Sequence, residues 1–254
     1  MNQPLLSLRI SVDYTGKPRA IDDVAFDVAE GEIFGLAGES GSGKSTITLA
    51  ILRLLDMRGG RARGEIRFQG HDLMRFSERE MRRLRGRDIS LVMQSPTAAL
   101  NPVLRLETHL REAWCVHSST PWRAARPVAK TLLRRLGLSD DDAFLRRYPG
   151  QLSVGQAQRV VVAMAMLHRP KLILADEPTS ALDPASREEC LDLFRQINRE
   201  FGSAILFISH DMPSMNQLCH RIAVLHDGRL AACRASVQTS FRTLPELSPA
   251  EMTR

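Results

Sequence analysis

Residues 38–45 read GESGSGKS, which fits the pattern G-x-x-x-x-G-K-[ST]. No other stretch of the chain limits its fold so tightly. Glycines at 38, 41 and 43 let backbone N–H groups curl around phosphate oxygens. Lys44 then reaches the terminal phosphates, and the Ser45 hydroxyl can ligate Mg2+. The pattern requires a strand before it and a helix after it. Both are present, since EIFGLAG (32–38) is an apolar run ending in glycine and ITLAILRLL has helical periodicity. The unit predicts an α/β sheet that holds a nucleoside triphosphate at one edge.

A second apolar run, KLILADE (171–177), delivers Asp176 and Glu177 to a strand end. Ligands gather at the carboxyl ends of strands in open α/β sheets. Asp176 there would hold Mg2+, directly or through water. Glu177 would accept a proton from the attacking water, or orient it. Alone, two acids before a proline also describe a surface turn.

Elsewhere the pattern divides the chain. LSLRISVDY and AIDDVAFDV alternate apolar and polar as half-buried strands do, and GEIRFQG (64–70) and DISLVMQ (88–94) read as further strands. Ser77 and Glu80 form a capping box at the start of a helix. From Ser95 to about Leu152 no strand is convincing, and helical patterns are broken by Pro96, Pro102, Pro121, Pro127 and Pro149. A helix starts at Pro184, SAILFISH (203–210) is a strand, and RIAVLHDGRLAA (221–232) is a hairpin with Asp-Gly at its turn.

LSVGQ (152–156) opens a long apolar helical segment, and exposed amides at such a start suit an anion. No neighbour in sequence could act on that anion. His210 after LFIS, Gln94 at a strand end and Asp183 before Pro184 each have an ordinary structural role as well. Asp183 in particular is an ideal helix N-cap.

These motifs together resemble the nucleotide-binding subunit of an ATP-binding cassette (ABC) transporter, over roughly residues 5–235. They come in that family's order: the phosphate loop (Gly38, Glu39, Ser40, Gly41, Ser42, Gly43, Lys44, Ser45, Thr46), Gln94, the signature (Leu152, Ser153, Val154, Gly155, Gln156), the acidic strand end, SALD (180–183) and Ser209-His210. The resemblance implies an α/β fold: a P-loop NTPase core with an N-terminal antiparallel β subdomain and an inserted α-helical subdomain. Residues 1–94 and 158–235 would form the core, 95–157 the helical subdomain with the signature, and 236–254 a short C-terminal tail.

It also implies roles. Gln94 touches Mg2+ and water, with Ser45 and Asp176 as the other Mg2+ residues. His210 contacts the γ-phosphate, and Tyr14 stacks on adenine, although a core or edge tyrosine is nearly as good a reading. Two cassettes pack head to tail, so that Ser153, Gly155 and Gln156 of one complete the other's ATP site, with Asp183 at the dimer interface. The family usually has glycine where this chain has Val154. That valine either weakens the site or is tolerated, and intact Ser153 and Gly155 favour tolerance.

The phrases around LNP (100–102, reading L-N-P) and RYPGQLS are similar to ATPases of bacterial peptide and nickel importers. That type implies two membrane permeases, a second and non-identical ATPase, an extracytoplasmic solute-binding protein acting indirectly, and a peripheral place on the cytoplasmic face of the bacterial inner membrane. Two departures are Ser95, where aspartate is frequent, and an ending SFRTLPELSPAEMTR without the Pro-rich extension of many members. Trp114 and Trp122 would be permease anchors or core residues.

Composition excludes other classes. The longest apolar run, VVVAMAML at 160–167, is too short to span a bilayer, and no export signal is evident, so cytosolic residence is expected. Cys115, Cys190, Cys219 and Cys233 sit at spacings that match neither a CxxC pair nor a zinc pattern and read as reduced core or surface thiols. A net charge of +6 allows nucleic-acid binding, but no aromatic-interleaved basic patch supports it, and no nucleic acid is expected. The alternative function is a soluble, non-transport ABC ATPase working in a nucleic-acid or enzyme complex.

Overall fold

Leu6, Leu8, Ile10 and Val12 are buried while the residues between them are not, the period-two pattern of a strand with one wet face. The computed structural model describes residues 3–180 and 182–235. In chain order its elements are β1 (Leu6–Tyr14), β2 (Lys17–Val28), β3 (Ile33–Ala37), α1 (Lys44–Ile51), β4 (Gly60–Phe68), β5 (His71–Asp72), α2 (Glu78–Leu84) and β6 (Ile89–Val92). Helices follow: α3 (Pro96–Ala99), α4 (Leu106–Cys115), α5 (Trp122–Arg135), α6 (Asp142–Leu145) and α7 (Val154–Met166). The chain then runs through β7 (Leu172–Asp176), α8 (Pro184–Phe201), β8 (Ala204–Ser209), α9 (Met212–Leu218), β9 (Arg221–His226) and β10 (Arg229–Ala235). The expected tail, 236–254, lies outside the described residues.

Two sheets result. One is antiparallel, in the order β2-β1-β4-β5, and the other has the order β10-β9-β3-β8-β7-β6. From β9 to β6 the second sheet is parallel, and its central strands β3, β7 and β8 are apolar on both faces. The final hairpin turns at Asp227-Gly228 as expected, with positive φ at both residues. Between β6 and α7 no strand occurs among the described residues.

The structure corrects one reading. Pro127 does not break a helix but lies inside α5. It removes one backbone donor, yet α5 buries Ala125, Ala129, Leu132 and Leu133, and that packing outweighs the local defect. Trp114 and Trp122 are both half-buried and partnered. Trp114 donates to the Thr120 carbonyl at 2.9 Å and stacks on His168, while Trp122 donates to Glu107 at 3.1 Å. Burial pushes the Cys190 and Cys219 thiols up to about 12, and all four cysteines are free. No helix among the described residues is long and apolar enough to cross a membrane.

The sheets are joined by Arg221 on β9. Its guanidinium donates to Glu32 Oε1 at 2.6 Å and to the Asp27 carbonyl of β2 at 2.8 Å, and lies over the Phe34 ring at 5.1 Å. Hydrogen bonds to Glu32 hold its pKa above the usual arginine value. Removing Arg221 leaves a buried Glu32 carboxylate without its cation. Arg221→Ala should cost about 2 kcal/mol, a fall in Tm of roughly 4–8 °C for a chain of this size. Thermal unfolding followed by circular dichroism checks this, and an unchanged Tm would show that the clamp contributes nothing.

Candidate functional site

Four neighbouring strands, β3, β8, β7 and β6, run parallel, so their carboxyl ends share one edge. Each ends in a residue singled out above: the glycine loop after β3, His210 after β8, Asp176 and Glu177 at β7, and Gln94 after β6. The shared topology explains why motifs far apart in sequence meet. A cavity of about 280 Å³ at this edge is lined by Ser40, Gly41, Gly43, Lys44, Ser45 and Thr46, with Gln94, Glu177 and His210 closing it.

The loop is built as its glycines require. Gly41 and Gly43 have φ of 84° and 107°, which side-chain-bearing residues rarely adopt, and Gly43 caps α1. Lys44 is the first residue of that helix and is buried. Its ammonium donates to the carbonyls of Gly38 at 2.7 Å and Glu39 at 2.9 Å, and stands 3.4 Å from Glu177 Oε1. A buried cation needs such compensation.

Glu177 is held in an unusual way. Its backbone is left-handed, with φ of 50°, a conformation that costs a non-glycine residue about 1–2 kcal/mol. Its N–H donates to the Ile208 carbonyl at 2.9 Å, which ties the strained residue to β8. The side chain then sits between two partners, Lys44 on Oε1 and His210 Nδ1 at 2.9 Å from Oε2. His210 is exposed, so its other nitrogen is free to face a ligand.

Asp176 lies beside them, and its Oδ1 is buried with no hydrogen-bond partner. Burial pushes its carboxyl above the usual value, and the neighbouring Glu177 adds to this. The Ser45 hydroxyl and the Lys44 charge pull the other way. Tyr14, at the end of β1, is hydrogen-bonded through its hydroxyl to Thr46 at 3.2 Å. It therefore adjoins the loop without lining the cavity.

Other residues stand elsewhere. Leu152, Ser153, Val154, Gly155 and Gln156 and the Asp183 side chain do not line the cavity. Ser153 caps α7, accepting from the Gln156 N–H at 3.2 Å, and Gln156 Oε1 accepts from the Ser153 N–H at 3.2 Å. This is a capping box, readable from the S-x-x-Q spacing but not predicted above. Val154 is the first helical residue, and its side chain is exposed, so the valine meets no conflict within the chain. Asp183 caps α8 as expected, accepting from the Ala185 and Ser186 N–H groups at 3.1 Å. The Ser186 hydroxyl, its strongest contact, holds its carboxyl below the usual range.

One feature of the site was missed from sequence. Arg187 on α8 pairs with Asp211 at 3.1 Å, and Asp211 also accepts from the Ser214 hydroxyl at 2.6 Å. The pair braces the loop that carries His210. Nothing in the separate sequence stretches signals it.

Comparison with known proteins agrees with this geometry. The ABC transporter family model matches residues 21–180. The dipeptide transport ATP-binding protein DppD of Bacillus subtilis is 39% identical over 219 residues, covering 86% of this chain, which spans 65% of that protein's length. The Escherichia coli DppD is 38% identical over 241 residues, with 91% and 74% covered. Among solved structures, a dimeric ATP-binding cassette in a post-hydrolysis state with ADP and Pi is 28% identical, with a TM-score of 0.72 over 91% of this chain and 98% of that one. The cbiO1 subunit from Clostridium perfringens shares the fold, with a TM-score of 0.80 at 23% identity over 92% of this chain and 90% of that one. The α/β core, the glycine loop and these relatives agree: the chain belongs to the ABC transporter family, as one of its ATP-binding cassettes.

Proposed function

We propose that this chain is the ATP-hydrolysing subunit that energises an importer for peptides, nickel or related small solutes. The observation that carries the reading is the meeting of Lys44, Glu177 and His210 in the cavity lined by the glycine loop. That cavity can take a triphosphate and act on it. Lys44, freed from the loop carbonyls, would bind the terminal phosphates. Glu177 would orient the attacking water and take its proton, His210 would contact the γ-phosphate, and Gln94 would sense both.

The residues fit Mg2+. Asp176 Oδ1 is buried without a partner and the Ser45 hydroxyl is beside that carboxylate, an all-oxygen donor set suited to a hard cation. Ser45, Asp176 and Gln94 would hold the ion, which neutralises charge on the phosphates when bound.

The signature would serve a second cassette. Ser153 and Gln156 already satisfy one another, and the Val154 and Gly155 N–H groups begin α7, where helices lack internal acceptors. Head-to-tail pairing would present that helix start to a partner's nucleotide, with Asp183 at the interface. The domain division would be 1–94 and 158–235 for the core, 95–157 for the helical subdomain and 236–254 for the tail. Partners would be two permeases, a non-identical cassette and, indirectly, an extracytoplasmic binding protein. The chain would lie on the cytoplasmic face of the bacterial inner membrane. The names of the DppD relatives support dipeptides as the cargo class.

Affinity capture of tagged Glu177→Gln with ATP from detergent-solubilised native membranes tests this. Two polytopic permeases and a second cassette are expected, identified by mass spectrometry. Recovery of nucleic acid or a soluble complex without permeases would replace the transport reading with a non-transport ATPase.

A further inference from the structure

We infer that Gly60 is the seat of the Tyr14 ring and a positioning residue for recognition of the nucleotide base. The inference rests on reading the cavity as an ATP site and Tyr14 as its base platform.

Tyr14 and Gly60 face one another across β1 and β4, as the last residue of one strand and the first of the other. Gly60 is buried. A Cβ built on it would meet Tyr14 Cε1 at 2.7 Å, and Cδ1 and Cζ at 3.1 Å. Three ring atoms thus lie against a main chain that has no side chain to hold them off. The hydroxyl at the far end of the ring is hydrogen-bonded to Thr46 of the phosphate-binding helix at 3.2 Å. The ring is therefore held along its Cδ1–Cε1–Cζ side by the Gly60 main chain and through its hydroxyl by α1. A platform held this way is preorganised, and stacking on it costs no rotamer entropy at binding.

The need for glycine at this position comes from the ring and not from the backbone. Gly60 lies in a regular strand without a left-handed φ, so alanine suits its backbone. Its neighbour Gly59 is the contrary case: φ is 69°, yet a Cβ there would meet nothing closer than 3.9 Å. Gly60→Ala consequently displaces Tyr14 and little else. The ring atoms must retreat by several tenths of an ångström, which moves the stacking face and stretches the bond to Thr46.

The test is calorimetric titration of the full chain with MgATP and, separately, with Mg-tripolyphosphate, which has no base. Gly60→Ala should weaken ATP about tenfold, the scale of one base–aromatic stack, and leave tripolyphosphate unchanged. Tyr14→Ala should weaken ATP similarly, and adding Gly60→Ala to it should change nothing further. If Tyr14→Ala loses affinity and Gly60→Ala does not, the seat is wrong and the base platform stands. If neither variant loses affinity, the platform reading fails and takes the seat with it. An equal loss of ATP and tripolyphosphate in Gly60→Ala would mean a distorted phosphate loop and would overturn the inference. Should Gly60→Ala not fold, the Tyr14→Ala/Gly60→Ala double variant removes the conflict and should fold. Failure of the double variant would also overturn it.

Discussion

Glu177→Gln should bind ATP at least as tightly as the native chain while its turnover in the assembled complex falls about a thousandfold. The magnitude is that of a positioned general base removed from its reaction. Glutamine keeps the shape and reach of the side chain, so the cavity stays intact. It loses only the negative charge and the ability to take a proton. In the native chain Oε1 stands 3.4 Å from Lys44 and Oε2 stands 2.9 Å from His210. The carboxylate thus competes with phosphate for the Lys44 cation, and a neutral amide competes less. Binding and chemistry should therefore move in opposite directions, which general damage would not do. Equilibrium binding of ATP and phosphate release, measured on the same preparation, separate the two. Hydrolysis at the native rate would remove Glu177 from the role assigned to it, and a parallel loss of binding would recast it as structural.

What could be read from the chain ahead of its structure was what depends on near neighbours in sequence. The glycine loop, the Asp183 cap, the Ser77–Glu80 capping box and the Asp227-Gly228 turn each need only a few adjacent residues. The α/β fold followed from strand and helix periods for the same reason. Glu177 was placed at the nucleotide edge by its strand end, whereas the convergence of Gln94 and His210 with the loop was expected only from family resemblance. Its physical cause is sheet order, since β6, β7, β8 and β3 are neighbours although their order in the chain differs.

Three features were not legible, each because it arises from distant pieces of chain. The left-handed backbone of Glu177 is held by Ile208, thirty-one positions away by their numbers, and no glycine marks the place. The Arg187–Asp211 pair joins two helix starts that approach only in the fold. Pro127 carries a genuine helix-breaking preference, which burial of α5 overrides. The Ser153–Gln156 box is different in kind. Its S-x-x-Q spacing spans four residues and is legible in the sequence, where the same amides also read as an anion site.

Lys44→Ala should reduce ATP affinity by a hundredfold or more. Two charge-assisted hydrogen bonds to phosphate, at about 1.5–3 kcal/mol each, account for that loss. The native geometry adds a second consequence that a simple contact count omits. Lys44 is buried, and without ligand it is the cation that faces Glu177 and offsets part of the rise that burial imposes on the Asp176 carboxyl. Removing it leaves two adjacent carboxylates with no neighbouring ammonium, and leaves the Gly38 and Glu39 carbonyls without their donor. The variant should therefore be less stable than the native chain even without nucleotide. It should also lose the rise in Tm that saturating MgATP gives the native protein through mass action. Denaturation scans with and without MgATP, beside a binding titration, read both effects. An ATP affinity within threefold of native would mean that the backbone amides alone hold the phosphates and that Lys44 serves only to neutralise the acidic strand end.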